Sequence, residues 1–368
     1  MPKRFTDADR LKTSEEIVRQ KLREINQLKK SLAEIQKVND TEEEIRRTIF
    51  GLAEYTPTPP KWLIEKSEPH SPGVPMTIWS DWHFGEQVFK SQVGGANEFN
   101  LKIAQARVKL LVDSTIDLCL NHMVKPDYPG IVVCLGGDMI TGTIHEELAA
   151  TNDGTVTDAL EAVTDSLIAA ISTVADAFRK VFIPCVVGNH GRNSIRPMFK
   201  NRPKLSYEWT LYHALERYFK TDDRIQFKIP NSTDYNFAVQ GHRFTLTHGD
   251  TLGVKGGDGI IGVIGPIARG TVKMAGSEAQ IGRDFDTLLG GHYHTYIPRS
   301  DAIAAIFNGS LIGYNEYARL QLRVKYSRPS QALWFVHPKR GIVPQWPVYL
   351  DEPSKTIRKT EWVSWQKE

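Results

Sequence analysis

The chain has 368 residues, a mass of 41.5 kDa and a formal net charge of +3. Its composition, 40% hydrophobic and 24% charged, is that of a folded globular protein and excludes collagen-like, disordered and disulfide-rich classes. The net charge is too small to indicate a general affinity for nucleic acid or membranes, so only local basic clusters could provide one. We expect a folded enzyme with two or three domains of roughly 150 residues each.

The cysteines and the apolar runs exclude further classes. Cys119, Cys134 and Cys185 are odd in number and lack C-x-x-C spacing, which argues against a disulfide framework or a cysteine-ligated zinc site. No stretch approaches about 18 consecutive apolar residues, and no apolar segment follows the basic residues near the start. We therefore expect neither a membrane span nor a secretory signal, and a cytoplasmic location.

The first 56 residues are predicted to form a helical arm. Thr13 and Glu16 have the spacing of a capping box, and apolar residues then recur every three and four positions. Thr41 and Glu44 repeat this signature, so the arm is a helical hairpin or a short coiled coil. Its apolar stripe suits self-association or a protein partner, with packing onto the body of the protein as the alternative. The expected organisation is helical arm, proline-containing linker, main domain and tail: 1–56, 57–74, 75–350 and 351–368.

After the linker, short β-rich runs end in glycine or polar residues and alternate with helical segments. The β-rich runs cover 74–81, 130–138, 181–190, 243–250 and 286–294, and the helical segments cover 101–124, 156–180 and 205–220. This alternation favours a parallel-rich sheet with helices on its faces. Later strands at 235–240, 302–307 and 332–337 suggest a second sheet. The predicted fold is α/β, a four-layer α/β/β/α sandwich.

Each of the five β-rich runs carries metal-ligand residue types at or just beyond its C-terminal end, the edge where α/β sheets bind ligands. These residues are Asp81, His83, Asp138, Asn189, His190, His248, His292 and His294. In an extended segment, residues two apart share a face, so Asp81 and His83 can chelate one centre. The same holds for His292 and His294.

This residue set predicts a dinuclear metal site, because a carboxylate such as Asp138 can bridge two cations. Imidazole combined with carboxylate oxygen suits manganese, iron, zinc or nickel better than calcium. We expect two divalent metal ions, with manganese as the first choice and iron, zinc or nickel as alternatives.

The ordered set D-x-H, GD, GNH, H and GHxH resembles the calcineurin-like metallophosphoesterase superfamily over about residues 75–310. The resemblance implies an α/β/β/α sandwich around two metal ions that hydrolyses phosphoesters. It implies two overlapping ligand sets: Asp81, His83, Asp138 and His294 for one ion, and Asp138, Asn189, His248 and His292 for the other. His190 is then the acid that protonates the leaving group, so the predicted catalytic residues are His190 and Asp138.

The chain departs from the family pattern directly after Gly-Asn-His. The family usually carries Asp or Glu there, which orients the histidine, whereas this chain has Gly191 and then Arg192. Either another carboxylate orients His190, or the role of His190 is altered. His145 and Glu146 are candidates for a supporting role or for substrate contact, with an ordinary helix start as the alternative.

Basic residues flank these motifs. Residues 191–207 contain no acid, and Arg192, Arg196 and Lys200, together with His145, are predicted to bind substrate. A second acid-free stretch, residues 317–340, interleaves cations with aromatic residues, a composition typical of surfaces that follow a nucleic-acid backbone. The alternative is that these cations are solvated and the aromatic residues belong to the core.

Residues 253–282 are rich in glycine but lack the GKS or GKT of a P-loop, so we predict a mobile lid or substrate-positioning loop, with a surface loop containing helical pieces as the alternative. Basic flanks around such a core are similar to SbcD-type DNA exonucleases. The predicted activity is metal-dependent phosphodiester hydrolysis by a nuclease acting on DNA. The alternatives are a phosphomonoesterase or protein Ser/Thr phosphatase and, from another class, a non-catalytic scaffold.

Overall fold

The structure is a computed structural model that describes residues 73–252, 262–301, 303–321 and 326–351, together with helical residues between 19 and 33. The chain divides into two units, Met1–Thr58 and Pro59–Glu368. In the first unit, the described residues between 19 and 33 are helical, as the spacing predicts. The second predicted helix of the arm, the linker up to residue 72 and the tail beyond Asp351 lie outside the described residues.

The first sheet of the second unit contains β1 (Val74–Trp79), β2 (Ile131–Leu135), β3 (Val181–Pro184), β4 (Ile225–Lys228), β10 (Ser330–His337) and β11 (Gly341–Tyr349). Their order across the sheet is β11-β10-β1-β2-β3-β4. Strands β1 to β4 are parallel, and β10 is antiparallel to β1, with Val336 opposite Val74. The C-terminal ends of β1, β2 and β3 therefore share one edge, and the turn between β10 and β11 lies at the opposite edge.

The second sheet contains β5 (Tyr235–Val239), β6 (His242–Leu246), β7 (Thr287–Gly290), β8 (Ile297–Arg299) and β9 (Ala304–Phe307). Their order is β5-β6-β7-β9-β8. Strands β6, β7 and β9 are parallel, so the C-terminal ends of β6 and β7 also lie side by side.

The described helices of this unit are α1 (Leu101–Leu120), α2 (Glu146–Thr151), α3 (Val156–Phe178), α4 (Tyr207–Tyr218), α5 (Ile264–Gln280) and α6 (Glu316–Leu320). Helix α1 begins after Asn100, whose side chain accepts a hydrogen bond from Ile103 N at 2.9 Å. Helix α3 begins with a capping box between Thr155 and Asp158. Among the described helices, none is both long and apolar enough to cross a membrane.

The elements stack in four layers. A core between the two sheets includes Met76, Ile78, Phe244 and Ile306. A larger core lies between the other face of the first sheet and helices α1, α3 and α4. On the outer face of the second sheet, Ile267 of α5 packs with Leu288 and Phe307. The layers follow the order helix, sheet, sheet, helix, so the predicted α/β/β/α sandwich is confirmed.

One expectation for the later part of the domain was wrong, and another takes a more regular form than predicted. The strand predicted at 332–337 joins the first sheet beside β1, because both of its faces are buried there. The glycine-rich segment, predicted as a lid or as a surface loop with helical pieces, forms a 17-residue helix over Ile264–Gln280, in which Ile267 and Thr271, one turn apart, are both buried. Residues 253–261 of that segment lie outside the described residues.

Candidate metal centre

The strand ends of both sheets meet at one edge, where the predicted ligands lie. Those after β1, β2 and β3 are Asp81, His83, Asp138, Asn189 and His190, and those after β6 and β7 are His248, His292 and His294. Seven of these side chains fall into three overlapping groups, with donor atoms within 4.8 Å of one another in each group: Asp81, His83 and His294; His83, Asp138 and His190; Asp138, His248 and His292. The structure thus brings together residues that are more than 200 positions apart in the sequence.

We define the first cluster as Asp81, His83 and His294. His83 Nε2 lies 3.0 Å from His294 Nε2, which lies 3.5 Å from Asp81 Oδ1. The Asp81 carboxylate is held in place, because Ser80 Oγ donates to its Oδ2 at 2.5 Å and His292 N donates to its Oδ1 at 2.8 Å. His83 Nδ1 is buried without a hydrogen-bond partner. Two imidazole nitrogens and a carboxylate oxygen converge here as they would on a cation.

The second cluster consists of Asp138, Asn189, His248 and His292. His248 Nδ1 lies 2.8 Å from the Gly136 carbonyl oxygen and therefore carries a proton, because a carbonyl can only accept. His248 Nε2 faces two further acceptors, Asp138 Oδ2 at 2.9 Å and Asn189 Oδ1 at 3.2 Å. That nitrogen must either take a second proton or bind a cation together with the two oxygens. Its surroundings therefore fit a divalent metal ion.

Charges in the clusters shift the histidine pKa values in opposite directions. Burial acts to lower the pKa of His248, but the Asp138 carboxylate outweighs burial and raises it to about 10. Burial and the neighbouring His248 lower the pKa of His292 to about 4. Burial also lowers the pKa of His83 well below its usual value. Burial acts to lower the pKa of His294, but the Asp81 carboxylate raises it. The centre thus favours positive charge beside the two aspartates and leaves the lone pairs of His83 and His292 available to metal ions.

His190 lies beside the first cluster, with its ring oriented by the backbone. Its Nδ1 lies 3.0 Å from the Thr141 carbonyl oxygen, which fixes the proton on Nδ1 and leaves Nε2 as the reactive nitrogen. Its backbone N donates to Asp138 Oδ1 at 2.7 Å, and its ring packs edge-on against His83. The expected orienting carboxylate is therefore replaced by a carbonyl oxygen, a contact that no side-chain pattern in the sequence could reveal.

The backbone at this edge is strained. Among the described residues, nine non-glycine residues have φ between 51° and 69°. Five of the nine belong to the two clusters: Asp81, His83, Asp138, His292 and His294. Each left-handed residue costs about 1–2 kcal/mol, and such strain concentrates at functional sites. Hydrogen bonds hold these conformations, including Trp82 N to Asp138 O at 2.8 Å and Leu311 N to Asp81 O at 3.0 Å.

Two buried carboxylates near the clusters were not predicted from the sequence. Glu86 Oε2 lies 3.7 Å from His83 Nδ1, and Asn315 Nδ2 donates to its other oxygen at 2.9 Å. Glu208 lies in the first turn of α4 and is fully buried. Burial raises the pKa of each carboxyl to about 7. The three-residue spacing from His83 could have pointed to Glu86, whereas no local signal marks Glu208.

Arg192, a predicted substrate-binding residue, bonds within its own loop. Its Nε donates to the Ser194 carbonyl oxygen at 2.9 Å, and its two terminal nitrogens donate to Asn189 O and Ile195 O at 3.0 Å each. The guanidinium therefore shapes the loop that leaves the second cluster.

The other predicted substrate-binding residues lie on the loop after His190 and at the start of helix α2. Arg196 and Lys200 are exposed on the loop after His190. His145 is exposed and begins helix α2, with its ring centre 5.7 Å from that of His190. Glu146 is exposed in the first turn of α2. His145 thus combines a helix start with a position beside the predicted acid.

The described residues of the second basic stretch differ in burial and in their partners. Trp334 and Phe335 are fully buried in the core and cannot stack on a ligand. Arg328 is paired with Asp351 at 2.6 Å. The turn after β10, at residues 338–340, lies at the edge of the sheet opposite the metal clusters. The alternative, in which aromatic residues of this stretch belong to the core, therefore holds for Trp334 and Phe335, whereas Tyr317 and Tyr326 are exposed.

No family model and no curated protein matches the chain. Among solved structures, a dimetal phosphatase from Danio rerio is 11% identical, with 76% of this chain and 100% of that chain covered at a TM-score of 0.37. A conserved uncharacterized protein from Streptococcus pneumoniae, described as a predicted phosphoesterase, is 12% identical, with 74% and 97% covered at a TM-score of 0.29. Phosphopantetheinyl hydrolase from Mycobacterium tuberculosis is 12% identical, with 68% and 93% covered at 0.28. Likenesses this distant carry no argument about activity, which rests on the residues of the chain itself.

Proposed function

We propose that the chain is a metal-dependent phosphoesterase that hydrolyses phosphodiester bonds in DNA, with manganese as its metal. The observation that carries the proposal is the convergence of two nitrogen- and oxygen-rich clusters at one edge of the sandwich, with Asp138 grouped with residues of both. When bound at such a pair of clusters, two divalent ions polarise phosphoryl oxygens and activate water for an in-line displacement.

The residues of the chain supply the remaining steps. Asp81 and Asp138 hold their clusters in fixed orientation through hydrogen bonds to the neighbouring loops. His190 keeps Nδ1 on the Thr141 carbonyl, so its Nε2 can deliver a proton to the departing oxygen. Burial lowers the pKa of His190, which makes its protonated form a stronger acid.

Exposed residues on the loop after His190 support a nucleic-acid substrate. Arg196 and Lys200 are exposed cations, and the Phe199 side chain between them is 87% exposed. Cations beside an exposed aromatic ring can contact phosphates and stack on an unpaired base. A pocket next to Asn189 is lined by Phe199 and by Arg192.

The arginines nearest the clusters support a diester over a monoester. Arg192 is occupied by three carbonyl oxygens of its own loop. Arg202 donates to Asp250 at 2.8 Å, and both side chains are largely buried. A terminal phosphate carries an extra charge that an additional free cation would have to balance, whereas a diester has a single charge.

The proposal is tested with end-labelled single- and double-stranded DNA and Mn²⁺-loaded protein, with a chromogenic phosphomonoester assayed in parallel. The matched control is Asp138→Ala, which removes the carboxylate common to two of the donor groups. We expect metal-dependent DNA cleavage that the control lacks, and the product ladder then distinguishes internal from terminal cleavage. Intact DNA with turnover of the monoester would instead establish a phosphomonoesterase, and no turnover of either would favour a scaffold.

A further inference from the structure

Glu208 is a buried carboxylate that joins two loops carrying candidate ligands. Its Oε1 accepts a hydrogen bond from Met139 N at 2.6 Å, and its Oε2 accepts one from Gly188 N at 2.7 Å. Met139 directly follows Asp138, and Gly188 directly precedes Asn189. One side chain of α4 therefore holds the loop after β2 and the loop after β3.

The two loops are in such close contact that the distance between them determines the geometry of the second cluster. A Cβ atom on Gly188 would lie 2.6 Å from Asp138 Cγ, so only glycine allows the Asp138 carboxylate its position. His190 N also donates to Asp138 Oδ1 at 2.7 Å. A shift of a few tenths of an ångström between the loops would change the distances between Asp138 and Asn189.

Gly191 leaves open the space that Glu208 fills. A Cβ atom at Gly191 would lie 2.6 Å from Glu208 Cγ and 2.7 Å from Glu208 Cδ. The φ of Gly191 lies outside the left-handed region, so its backbone would accept a side chain. Glu208 is the principal obstacle, with Ser206 Oγ at 2.9 Å as the other near atom. A side chain at position 191 and the Glu208 side chain would therefore compete for one volume.

The backbone N–H groups of Met139 and Gly188 need a hydrogen-bond acceptor in this volume. A carboxylate is costly to bury, and it is tolerated where each oxygen receives a hydrogen bond from a fixed N–H group. An apolar side chain would pack α4 equally well but would leave Met139 N and Gly188 N without this acceptor. The presence of an ionisable group at 0% exposure indicates that the hydrogen bonds, and not packing alone, determine the residue.

We propose that Glu208 is a positioning residue that fixes Asp138 and Asn189 at the spacing required by a metal ion in the second cluster. It does so in the volume that a carboxylate at position 191 would otherwise occupy, so Gly191 and Glu208 form an interchangeable pair. The inference rests on the metal centre of the proposed function, but it makes no use of the substrate.

The first test measures Mn²⁺ binding to the metal-free full chain. Titration calorimetry gives the affinity, and electron paramagnetic resonance reports on the bound manganese. Glu208→Gln keeps the shape but places an amide NH₂ against a backbone N–H. We expect binding at the second cluster to weaken about 10–100-fold, the usual effect of removing a group that orients a metal ligand. The matched control is Glu216→Gln on the exposed side of the same helix, which should bind as wild type does. Wild-type manganese affinity in Glu208→Gln would overturn the proposal.

The second test exchanges the two positions. Glu208→Ala removes the acceptor, and Gly191→Asp alone forces its side chain against Glu208, so each single variant should bind manganese weakly. The double variant Gly191→Asp, Glu208→Ala supplies a carboxylate from the loop after β3 instead of from α4, and its manganese affinity should return toward the wild-type value. A double variant that binds no more tightly than Glu208→Ala would show that the carboxylate does not position the ligands.

These measurements separate this inference from the proposed function. If the wild-type chain binds two manganese ions but cleaves no DNA, the substrate proposal fails. The manganese affinity of the Glu208 variants still tests the role of Glu208. If the wild-type chain binds no manganese, the metal centre and the role of Glu208 are both overturned.

Discussion

The two clusters of candidate ligands differ in how firmly the protein holds them. In the second cluster, His248 Nδ1 is tied to the Gly136 carbonyl at 2.8 Å, which fixes the orientation of the ring. In the first cluster, the buried Asp81 carboxylate is held by two hydrogen bonds, but His83 Nδ1 has no hydrogen-bond partner. Ligands that are already fixed lose less freedom when a cation binds. We therefore expect the second cluster to bind its ion more tightly and the first to exchange its ion with solvent.

Replacing Asp138 should abolish this difference in affinity, because both clusters should then lose their ions. Its carboxylate belongs to one donor group with His83 and to another with His248. Asp138→Ala should therefore lose both ions and reduce phosphoester hydrolysis to the uncatalysed background. Metal content after dialysis, measured by mass spectrometry, and hydrolysis of a diester test this expectation. Circular dichroism controls for folding, and a folded variant that retains two tightly bound ions would contradict it.

Single histidine variants should expose the unequal affinities directly. His83→Ala should keep one tightly bound manganese ion, because the second cluster remains intact. His248→Ala should keep only a weakly bound ion, because it removes the imidazole opposite Asp138 and Asn189. Equilibrium dialysis at several manganese concentrations gives the stoichiometry and affinity of each variant. The reverse order, with the tighter ion retained in His248→Ala, would show that the fixed orientation of the His248 ring does not determine affinity here.

Replacing His190 should lower turnover without changing the metal affinity of either cluster. His190→Ala should retain two manganese ions and lower kcat by about 10²–10⁴-fold, the usual effect of losing a general acid. His122→Ala is the matched control, since His122 is an exposed histidine paired only with Asp117. Steady-state kinetics and metal analysis of the same preparations provide the test. Full diesterase activity in His190→Ala would show that another group protonates the leaving oxygen.

Residues at strand ends could be predicted, because their positions follow from local rules. Asp81 and His83 come directly after an apolar run, at the edge where strand ends of α/β sheets bind ligands. The expected extended segment was wrong, because both residues have left-handed φ, 53° and 51°, and the two-residue period of a strand does not apply to them. The full extent of the Ile264–Gln280 helix was not predicted because its glycines resemble those of a loop, although burial of Ile267 against the second sheet stabilises it. Contacts between distant segments were also beyond prediction. The Thr141 carbonyl that orients His190 and the Glu208 carboxylate under two loops depend on packing that only the folded chain creates.

The smallest expected effect concerns the loop that leaves the second cluster. Arg196→Ala with Lys200→Ala should leave metal binding and monoester turnover unchanged. The double variant should raise KM for single-stranded DNA several-fold, because phosphate contacts are lost. Each lost contact should also lower the slope of DNA affinity against salt concentration by about 0.7. The matched control is Lys339→Ala with Arg340→Ala, two exposed cations at the opposite edge of the sheet. Binding of DNA at several salt concentrations provides the measurement. Equal slopes in both double variants would place DNA elsewhere, because cations on the loop after His190 would then contribute no more than those at the opposite edge.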